Sequence, residues 1–257
     1  IDPSRLEAFL QDESKKGPIA VVAFVHAETS TGALSDAEAL CKVIQAFGAL
    51  IIMDAVTSVG GVPVKMDDWG VDALYSGTQK CLSCPPGLSP VSFNEKALAK
   101  LHARKSLVQS WFMDLALVEK YWDQGGQAAR TYHHTAPINL LYALHESLVL
   151  LHQEGMEAVW KRHQKTAALL KKGLVELGFE YVVPEASQMP QLHVVIPPAH
   201  ILPNEAAVRQ SLLKNERIEF GGGLGAFAGK IWRIGLMGHS ARKENVEKIL
   251  DVLGKLN

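Results

Sequence analysis

Apolar and polar residues follow one another in the first half of the chain in blocks typical of alternating strands and helices. Residues 19–25 form a continuous apolar run rich in β-branched side chains, which predicts a strand covered on both faces. After a polar loop, Ser35 begins a capping-box pattern that predicts an amphipathic helix ending at Gly48. A second strand is predicted over 50–53, where Asp54 stops it. Strand, helix and strand at this spacing indicate a parallel crossover unit.

Further along the chain, long helices precede a region of short strands. A leucine stripe after Pro137 predicts a helix that Gly155 interrupts, and a second helical stretch runs toward Leu177. Further strands are predicted over 73–75, 91–93, 181–183, 192–196 and 231–236, and further helices near 206–214 and from Asn245. The predicted fold class is therefore α/β, with a large domain over 1–154 and a small α+β domain over 155–257.

Composition narrows the kind of partner that the chain can have. Lys and Arg number 26 against 27 Asp and Glu, so no overall field attracts nucleic acid or an anionic membrane. We expect small molecules or copies of the chain itself as partners. Three cysteines, Cys41, Cys81 and Cys84, predict free thiols in a reducing compartment. No apolar run approaches the roughly 20 residues that span a bilayer.

Two charged residues stand where apolar neighbours make a solvated surface site unexpected. Asp54 ends an apolar strand, where a buried carboxylate costs several kcal/mol unless a cation or donors compensate it. Lys80 lies in a loop of small residues after another predicted strand. A carboxylate that keeps a pyridinium charged and a lysine that forms a Schiff base are the two groups that pyridoxal phosphate requires. The spacing alone fits equally an Asp that caps a turn and a surface Lys.

Five segments together carry a resemblance to a known family. They are HAETSTG at 26–32, LIIMDAVTSVGG at 50–61, DALYSGTQKCLSCPPGLS at 72–89, TYHHTAP at 131–137 and IWRIGLMG at 231–238. In this order and at these intervals they resemble the alanine-glyoxylate and serine-pyruvate aminotransferases, which are class V, fold-type I pyridoxal-phosphate enzymes. The resemblance implies a mainly parallel sheet in the large domain, whose N-terminal part has no counterpart in these residues.

The resemblance also implies a role for eight residues. Lys80 forms the Schiff base with pyridoxal 5'-phosphate and then shuttles the substrate α-proton, while Asp54 pairs with the ring nitrogen. Arg233 receives the substrate carboxylate with a bidentate fork. The remaining cofactor contacts are Val56 on a ring face, Thr29 near the phenolic oxygen, Gln79 beside the phosphate, and Tyr132 and Thr135 at the phosphate of the neighbouring subunit. The working unit is then a homodimer.

The residue before the lysine separates related reactions. Gln79 and the PPG turn favour the alanine, serine and glyoxylate group, whereas desulfurases typically carry His and aminophosphonate enzymes Asn at this position. We therefore expect ping-pong transfer of an amino group from alanine or serine to glyoxylate or pyruvate, in the peroxisome or cytoplasm with the mitochondrion as a further alternative. Aminophosphonate aminotransferase and cysteine desulfurase stay open as alternatives.

A competing hypothesis from a different class is an inactive polypeptide or binding module that retains the fold. Its basis is that the family's N-terminal segment, with a phosphate loop and a ring-stacking aromatic residue, has no counterpart here. Other motifs predict no chemistry. Cys81 and Cys84 lack the second pair of a zinc site, and the Gly-rich stretch over 221–226 precedes a strand and not a helix, so we expect turns there and no nicotinamide cofactor or metal.

Overall fold

The computed structural model describes residues 1–122 and 131–256, which form two four-stranded sheets and the helices around them. The helices are α1 (Pro3–Ser14), α2 (Ala37–Ala46), α3 (Met66–Trp69), α4 (Glu95–His102), α5 (Leu115–Trp122), α6 (Ile138–Glu154), α7 (Met156–Glu176), α8 (Glu205–Ser211) and α9 (Lys243–Gly254). The strands are β1 (Val21–Val25), β2 (Ala27–Glu28), β3 (Ala33–Leu34), β4 (Leu50–Asp54), β5 (Ala73–Tyr75), β6 (Val91–Phe93), β7 (Glu180–Tyr181), β8 (Leu192–Ile196), β9 (Gly221–Gly222) and β10 (Trp232–Gly235).

The first sheet has the strand order β1, β4, β5, β6, and its first three strands are parallel while β6 is antiparallel. In register, Val25 lies opposite Asp54, and Asp54 lies opposite Tyr75. Three strands therefore end side by side, and the loops that follow them start from one edge of the sheet. Ligands of open α/β sheets bind at such an edge. The predicted parallel crossover pairing of the first two strands is confirmed.

One face of the first sheet carries an apolar core shared with α1 and α2, which includes Leu10, Phe24, Leu40, Ile44 and Met53. On β1, Val21 is 44% exposed and Ala23 is also exposed, so the prediction of a strand covered on both faces is wrong for the described residues. The physical reason is that α1 and α2 pack on the face that carries Phe24. Apolar composition alone does not show which face of a strand is covered.

The predicted cap of α2 also differs from the structure. Asp36 is the N-cap, and its Oδ1 accepts a hydrogen bond from the Ala39 N–H at 3.0 Å. Ser35 is instead tied to β1, because its hydroxyl donates to the Val25 carbonyl at 3.1 Å and its N–H donates to the His26 carbonyl at 2.8 Å. The helix therefore begins one residue later than the capping box indicates, and Gly48 follows it in the left-handed conformation, as expected for a helix end.

The second sheet has the order β7, β8, β10, β9 and is antiparallel throughout. Trp232 is fully buried in its core, against Phe179, Phe220 and the apolar faces of α7 and α9. The prediction of turns over 221–226 is wrong in part, since Gly221 and Gly222 pair with β10. The division between residues 154 and 155 stays a prediction. No helix in the described ranges is long and apolar enough to cross a membrane.

Candidate active site

Asp54 stands at the carboxyl end of β4, half-buried, with a donor on each of its oxygens. Oδ1 accepts the Val56 N–H at 2.9 Å, and Oδ2 accepts the hydroxyl of Tyr75 at 2.8 Å. A carboxylate has about four lone-pair sites, so two of them have no donor among the described residues and can accept from a cationic donor. The hydrogen bond to Asp54 raises the pKa of Tyr75, because the charged carboxylate favours the protonated phenol. Asp54 is thus an oriented negative charge at the sheet edge.

Thr29 lies in a tight hairpin formed by β2 and β3, directly after β1. Glu28 shapes this hairpin, because its Oε1 accepts the Ser30 N–H at 2.7 Å. A Cβ on Gly32 would lie 2.7 Å from Cγ2 of Val194, so the glycine lets the hairpin pack against β8. The hairpin therefore bridges the edge of the first sheet and the second sheet. The sequence gives no strand signal here, since both strands have only two residues.

Arg233 reaches from β10 to this hairpin. Its Nε donates to the Gly222 carbonyl at 2.8 Å, and its Nη1 lies 3.5 Å from the Thr29 carbonyl. A Cβ on Gly221 would lie 3.1 Å from Nη2, so the glycine pair of β9 leaves room for the guanidinium. Two of the five N–H donors of arginine are used by these contacts within the described residues, and the others are available for an anion. The structure thus brings two predicted site residues together.

Lys80 lies in a short loop after β5. Hydrogen bonds between backbone groups of this loop close it. Cys84 N–H donates to the Thr78 carbonyl at 2.9 Å, and Ser83 N–H donates to the Lys80 carbonyl at 3.0 Å. Lys80 is half-buried, and no carboxylate in residues 1–122 or 131–256 forms an ion pair with it. Gln79 is exposed and folds back over Gly77, where a Cβ would lie 2.7 Å from Oε1. No other side chain in residues 1–122 or 131–256 therefore forms an ion pair or hydrogen bond with the amine of Lys80.

Tyr132 and Thr135 contact each other. Their hydroxyl oxygens are 2.8 Å apart, and Tyr132 is 71% exposed. Neither forms a hydrogen bond with the other six predicted residues in the described part of the chain. Val56, by contrast, is placed beside Asp54 by the backbone bond to Oδ1. Among the described residues, hydrogen bonds thus join three pairs of predicted residues: Asp54 with Val56, Arg233 with Thr29, and Tyr132 with Thr135.

Tyr75 is a further candidate site residue, which the sequence alone does not identify. It lies within the DALYSGTQK segment, but a tyrosine at the end of a short strand gives no sign of its partner. The signal that identifies the partner is the register, since Tyr75 lies opposite Asp54 on the neighbouring strand. Cross-strand neighbours of this kind lie close enough to interact. Register is fixed by packing, which the sequence alone leaves open.

The two cysteines of the C-x-x-C pair differ in exposure, since Cys81 is buried and Cys84 is half-buried. Cys41, Cys81 and Cys84 are free thiols, as expected. Burial raises the pKa of the Cys81 thiol to about 12, which makes it a poor nucleophile. No group of three or more metal-ligating residues occurs in the described ranges.

Residues 1–224 match the class-V aminotransferase family. The chain belongs to this family. Among curated relatives, the alanine–glyoxylate aminotransferase of Rattus norvegicus is 39% identical over 229 residues, which are 89% of this chain and 55% of the rat protein. The (S)-ureidoglycine–glyoxylate transaminase of Bacillus subtilis (strain 168) is 38% identical over 256 residues, 93% of this chain and 60% of that protein. The chain thus spans little more than half the length of these relatives.

Solved structures of class-V aminotransferases share the fold. The alanine–glyoxylate aminotransferase from Nostoc sp. gives a TM-score of 0.89 at 43% identity, over 96% of this chain and 64% of that one. The pyridoxamine–pyruvate aminotransferase from Mesorhizobium loti gives 0.87 at 30% identity, over 99% of this chain and 63% of that one. The predicted fold class, an α/β fold of type I with a mostly parallel sheet, is confirmed.

Class-V aminotransferases depend on pyridoxal phosphate, and the residues at the sheet edge fit that group. Asp54 offers free lone pairs on a carboxylate that two donors already orient, which suits a protonated ring nitrogen. Lys80 offers an amine without an ion-pair partner among the described residues. Both groups follow neighbouring strands of the first sheet. The carboxylate of Asp54 and the amine of Lys80 therefore match the two protein groups that the cofactor requires.

Proposed function

We propose that this protein is a pyridoxal-phosphate-dependent aminotransferase that moves an amino group from alanine or serine to glyoxylate or pyruvate by a ping-pong mechanism. The observation that carries the proposal is that Asp54 and Lys80 follow neighbouring parallel strands, beside the hairpin that Arg233 contacts. The family supports the reaction class, and the names of the relatives support glyoxylate as the acceptor. In this proposal Lys80 and Asp54 are the catalytic residues.

In the proposed mechanism, one residue of the chain stabilises charge on the cofactor and another transfers a proton. When bound, pyridoxal phosphate supplies an electron sink for the charge that develops as the substrate loses its α-proton. Asp54 would hold the ring nitrogen of the cofactor, since two donors fix the carboxylate in place. Lys80 would be the residue that holds the cofactor covalently and would carry the substrate α-proton at Nζ. Val56, Thr29 and Gln79 complete the proposed cofactor contacts.

Arg233 fixes the substrate by its carboxylate. The guanidinium is held by the Gly222 and Thr29 carbonyls, and its other N–H donors make no hydrogen bond within the described residues. Such a fork binds both carboxylate oxygens and so orients the α-carbon as well as attracting the anion. Alanine, serine, glyoxylate and pyruvate all carry this carboxylate next to the reacting carbon. A common anchor therefore serves both halves of a ping-pong reaction.

A direct experiment tests the proposal. The protein loaded with pyridoxal phosphate is mixed with alanine and its visible absorption band is followed. Alanine should bleach the band as the amino group is taken up, and glyoxylate should then restore it. A band that neither alanine nor serine bleaches would contradict the proposed donors. No band at all would favour a protein that retains the fold without the activity.

A second donor is supported by one specific comparison. The Bacillus subtilis relative is named for transfer from (S)-ureidoglycine to glyoxylate, and its identity to this chain is close to that of the rat protein, 38% against 39%. Substrates of this size differ by interactions of about 1 to 3 kcal/mol, so family membership does not choose between them. The bleaching experiment with (S)-ureidoglycine in place of alanine distinguishes the two donors by their rates.

Replacing Arg233 by Lys should raise the KM for alanine about 10- to 100-fold, because a single ammonium cannot reproduce a bidentate bond to a carboxylate. The change in kcat should be smaller. Arg209→Lys is the matched control: Arg209 lies against Gly222 but pairs with Glu205, at 2.8 Å from Nε to Oε2. Steady-state kinetics on both variants measure the difference. An equal rise in KM in both would show that packing around β9, and not carboxylate binding, is responsible.

We also propose a homodimer in which Tyr132 and Thr135 reach the cofactor phosphate of the neighbouring subunit. The support is an exposed apolar surface around α6 and the segments before it. Its large exposed side chains are Leu107, Trp111, Phe112, Met113, Trp122, Tyr132, Ile138, Leu141, Tyr142, Leu148 and Leu150. Large contiguous apolar surfaces mark interfaces between proteins. A second copy of the chain is the partner that the family's two-subunit site implies.

Tyr132→Phe should weaken pyridoxal phosphate binding about tenfold, because it removes one hydrogen bond to a charged phosphate without removing the ring. Tyr142→Phe is the matched control, since Tyr142 is equally exposed, at 72% against 71%, but lies on α6. A titration followed by absorbance gives both affinities, and light scattering gives the mass of the assembly. A monomeric wild-type protein, or equal loss of affinity in both variants while both remain dimeric, would overturn the two-subunit site.

A further inference from the structure

The loop that carries Lys80 is held by a turn that precedes α9, residues 237–241. The His239 N–H donates to Oγ of Ser83 at 2.8 Å. Gly238 approaches so closely that an added Cβ would lie 2.6 Å from the Cys81 carbonyl oxygen and would overlap Ser83. Gly238 also has φ +54°, a conformation that L residues rarely adopt. This turn is therefore built to let its backbone touch the lysine loop.

Ser83 occupies an unusual backbone conformation for its residue type. Its φ is +59°, and Ser83 and Arg217 are the non-glycine residues with positive φ in residues 1–122 and 131–256. Left-handed backbone is disfavoured for residues with a Cβ, and Asn and Gly tolerate it better than Ser or Ala. Such conformations persist where the surroundings enforce them, often at functional sites. Here Ser83 closes a turn, because its N–H donates to the Lys80 carbonyl.

The turn before α9 is itself fixed by α7. The Gly238 N–H donates to Nε2 of His163 at 2.9 Å, and Nδ1 of His163 lies 2.8 Å from the Val159 carbonyl. Since Nδ1 faces an acceptor and Nε2 a donor, the ring is the neutral tautomer with its proton on Nδ1. Burial lowers the pKa of His163 and so preserves this form. Arg162 holds the Gly238 carbonyl at 2.7 Å from Nη1 and pairs with Glu154 of α6.

Other parts of the structure contact the residues on either side of Ser83 in the loop that carries Lys80. Ser147 of α6 donates to the Leu82 carbonyl, and Sγ of Cys84 lies 3.3 Å from the Ala143 carbonyl. Sγ of Cys81 lies 3.4 Å from the Thr57 carbonyl. Each residue from 81 to 84 is thus tied to an element outside the loop. Ser83 is the residue of these four whose hydroxyl accepts a hydrogen bond from His239 in the turn before α9.

We propose that the contact of Ser83 with Gly238 and His239 positions Lys80, so that the amine approaches the cofactor from one fixed direction. This inference rests on the proposed function of Lys80. Lys80 must serve both as the attachment point and as the carrier of a proton, and misplacement of such a group by about 1 Å can cost 10²-fold in rate. Ser83 acts through Lys80 and is a positioning residue. The same contact links the lysine loop to the turn that connects β10 to α9.

A series at position 83 separates the hydrogen bond from the backbone strain. Ser83→Ala removes the acceptor and keeps the strain, Ser83→Gly removes both, and Ser83→Asn restores an acceptor in a residue that tolerates positive φ. Ser89→Ala is the matched control, because Ser89 is an exposed serine after the same loop. Since Ser83 is itself exposed, none of these changes empties the core.

The measurements are kcat and KM for alanine with glyoxylate, and the pH midpoint at which the visible band of the cofactor-loaded protein changes. We expect Ser83→Ala and Ser83→Gly to lower kcat about 10- to 100-fold with little change in KM. Their pH midpoints should shift, because the environment of the Lys80 amine changes. Ser83→Asn should recover most of both properties, and Ser89→Ala should match the wild type.

Two outcomes would overturn this inference and leave the proposed function intact. If wild-type protein shows a band that alanine bleaches, but the Ser83 variants keep its kcat and pH midpoint, the contact does not position Lys80. If Ser83→Gly matches the wild type while Ser83→Asn does not, relief of strain and not the hydrogen bond governs the site. If wild-type protein shows no band attached at Lys80, the proposed function itself fails, and this inference fails with it.

Discussion

Lys80→Ala should abolish transamination and remove the visible band that pyridoxal phosphate gives when it is attached to the protein. Loss of a positioned general base alone costs about 10² to 10⁴ in rate. Here the attachment point is lost as well, so we expect a reduction of at least about 10⁴-fold in kcat. Within the described residues no ion pair engages Lys80, so its removal leaves no buried carboxylate without a partner. The folded protein should therefore survive the change.

Two further variants make this prediction specific to Lys80. Lys80→Arg keeps a positive charge but cannot attach the cofactor, so it should be as inactive as Lys80→Ala. Lys65→Ala removes an exposed lysine whose surface pair with Asp68, 3.7 Å long, is worth little, and should behave as the wild type. Borohydride reduction followed by peptide mass spectrometry identifies the modified residue. Attachment at a lysine other than Lys80, or retained activity in Lys80→Arg, would refute the assignment.

The strands of the first sheet were predictable because each is a short apolar run bounded by turn-forming residues. The runs over 50–53 and 73–75 correspond closely to β4 and β5. The pairing β9 makes with β10 was not predictable, because Gly221 and Gly222 have no side chains whose pattern could indicate a strand. The strand forms there because two glycines fit between Arg209 and Arg233, which is a tertiary constraint.

The candidate site was predictable in its residue types but not in its contacts. Asp54 and Lys80 follow strands, so topology alone predicted that they lie at one edge. The contact between Arg233 and the Thr29 carbonyl joins positions 204 residues apart, and no local pattern encodes it. The same is true of Ser83 and His239, which are 156 residues apart. Contacts at such separations depend on how the two sheets pack.

The role of Asp54 depends on a contact within the first sheet, since Tyr75, 21 residues along the chain, holds one of its oxygens. A tyrosine hydroxyl that donates to a carboxylate fixes the direction of that group. Asp54→Asn keeps the shape, and Oδ1 of the amide can still accept the Val56 N–H. The amide nitrogen would then face the Tyr75 hydroxyl, which would have to become an acceptor. The variant is therefore expected to fold and to bind the cofactor.

Asp54→Asn should nevertheless lower kcat about 10²- to 10³-fold, because a neutral amide cannot stabilise a proton on the ring nitrogen, and oriented electrostatic groups of this kind contribute that much to rate. Tyr75→Phe is the matched variant: it removes one donor, of about 1.5 to 3 kcal/mol at a charged acceptor, but keeps the negative charge, so its loss should be smaller. Steady-state kinetics with alanine and glyoxylate measure both. Wild-type kcat in Asp54→Asn would show that the reaction does not need a charged ring nitrogen, and a larger loss in Tyr75→Phe would make the orientation of Asp54 more important than its charge.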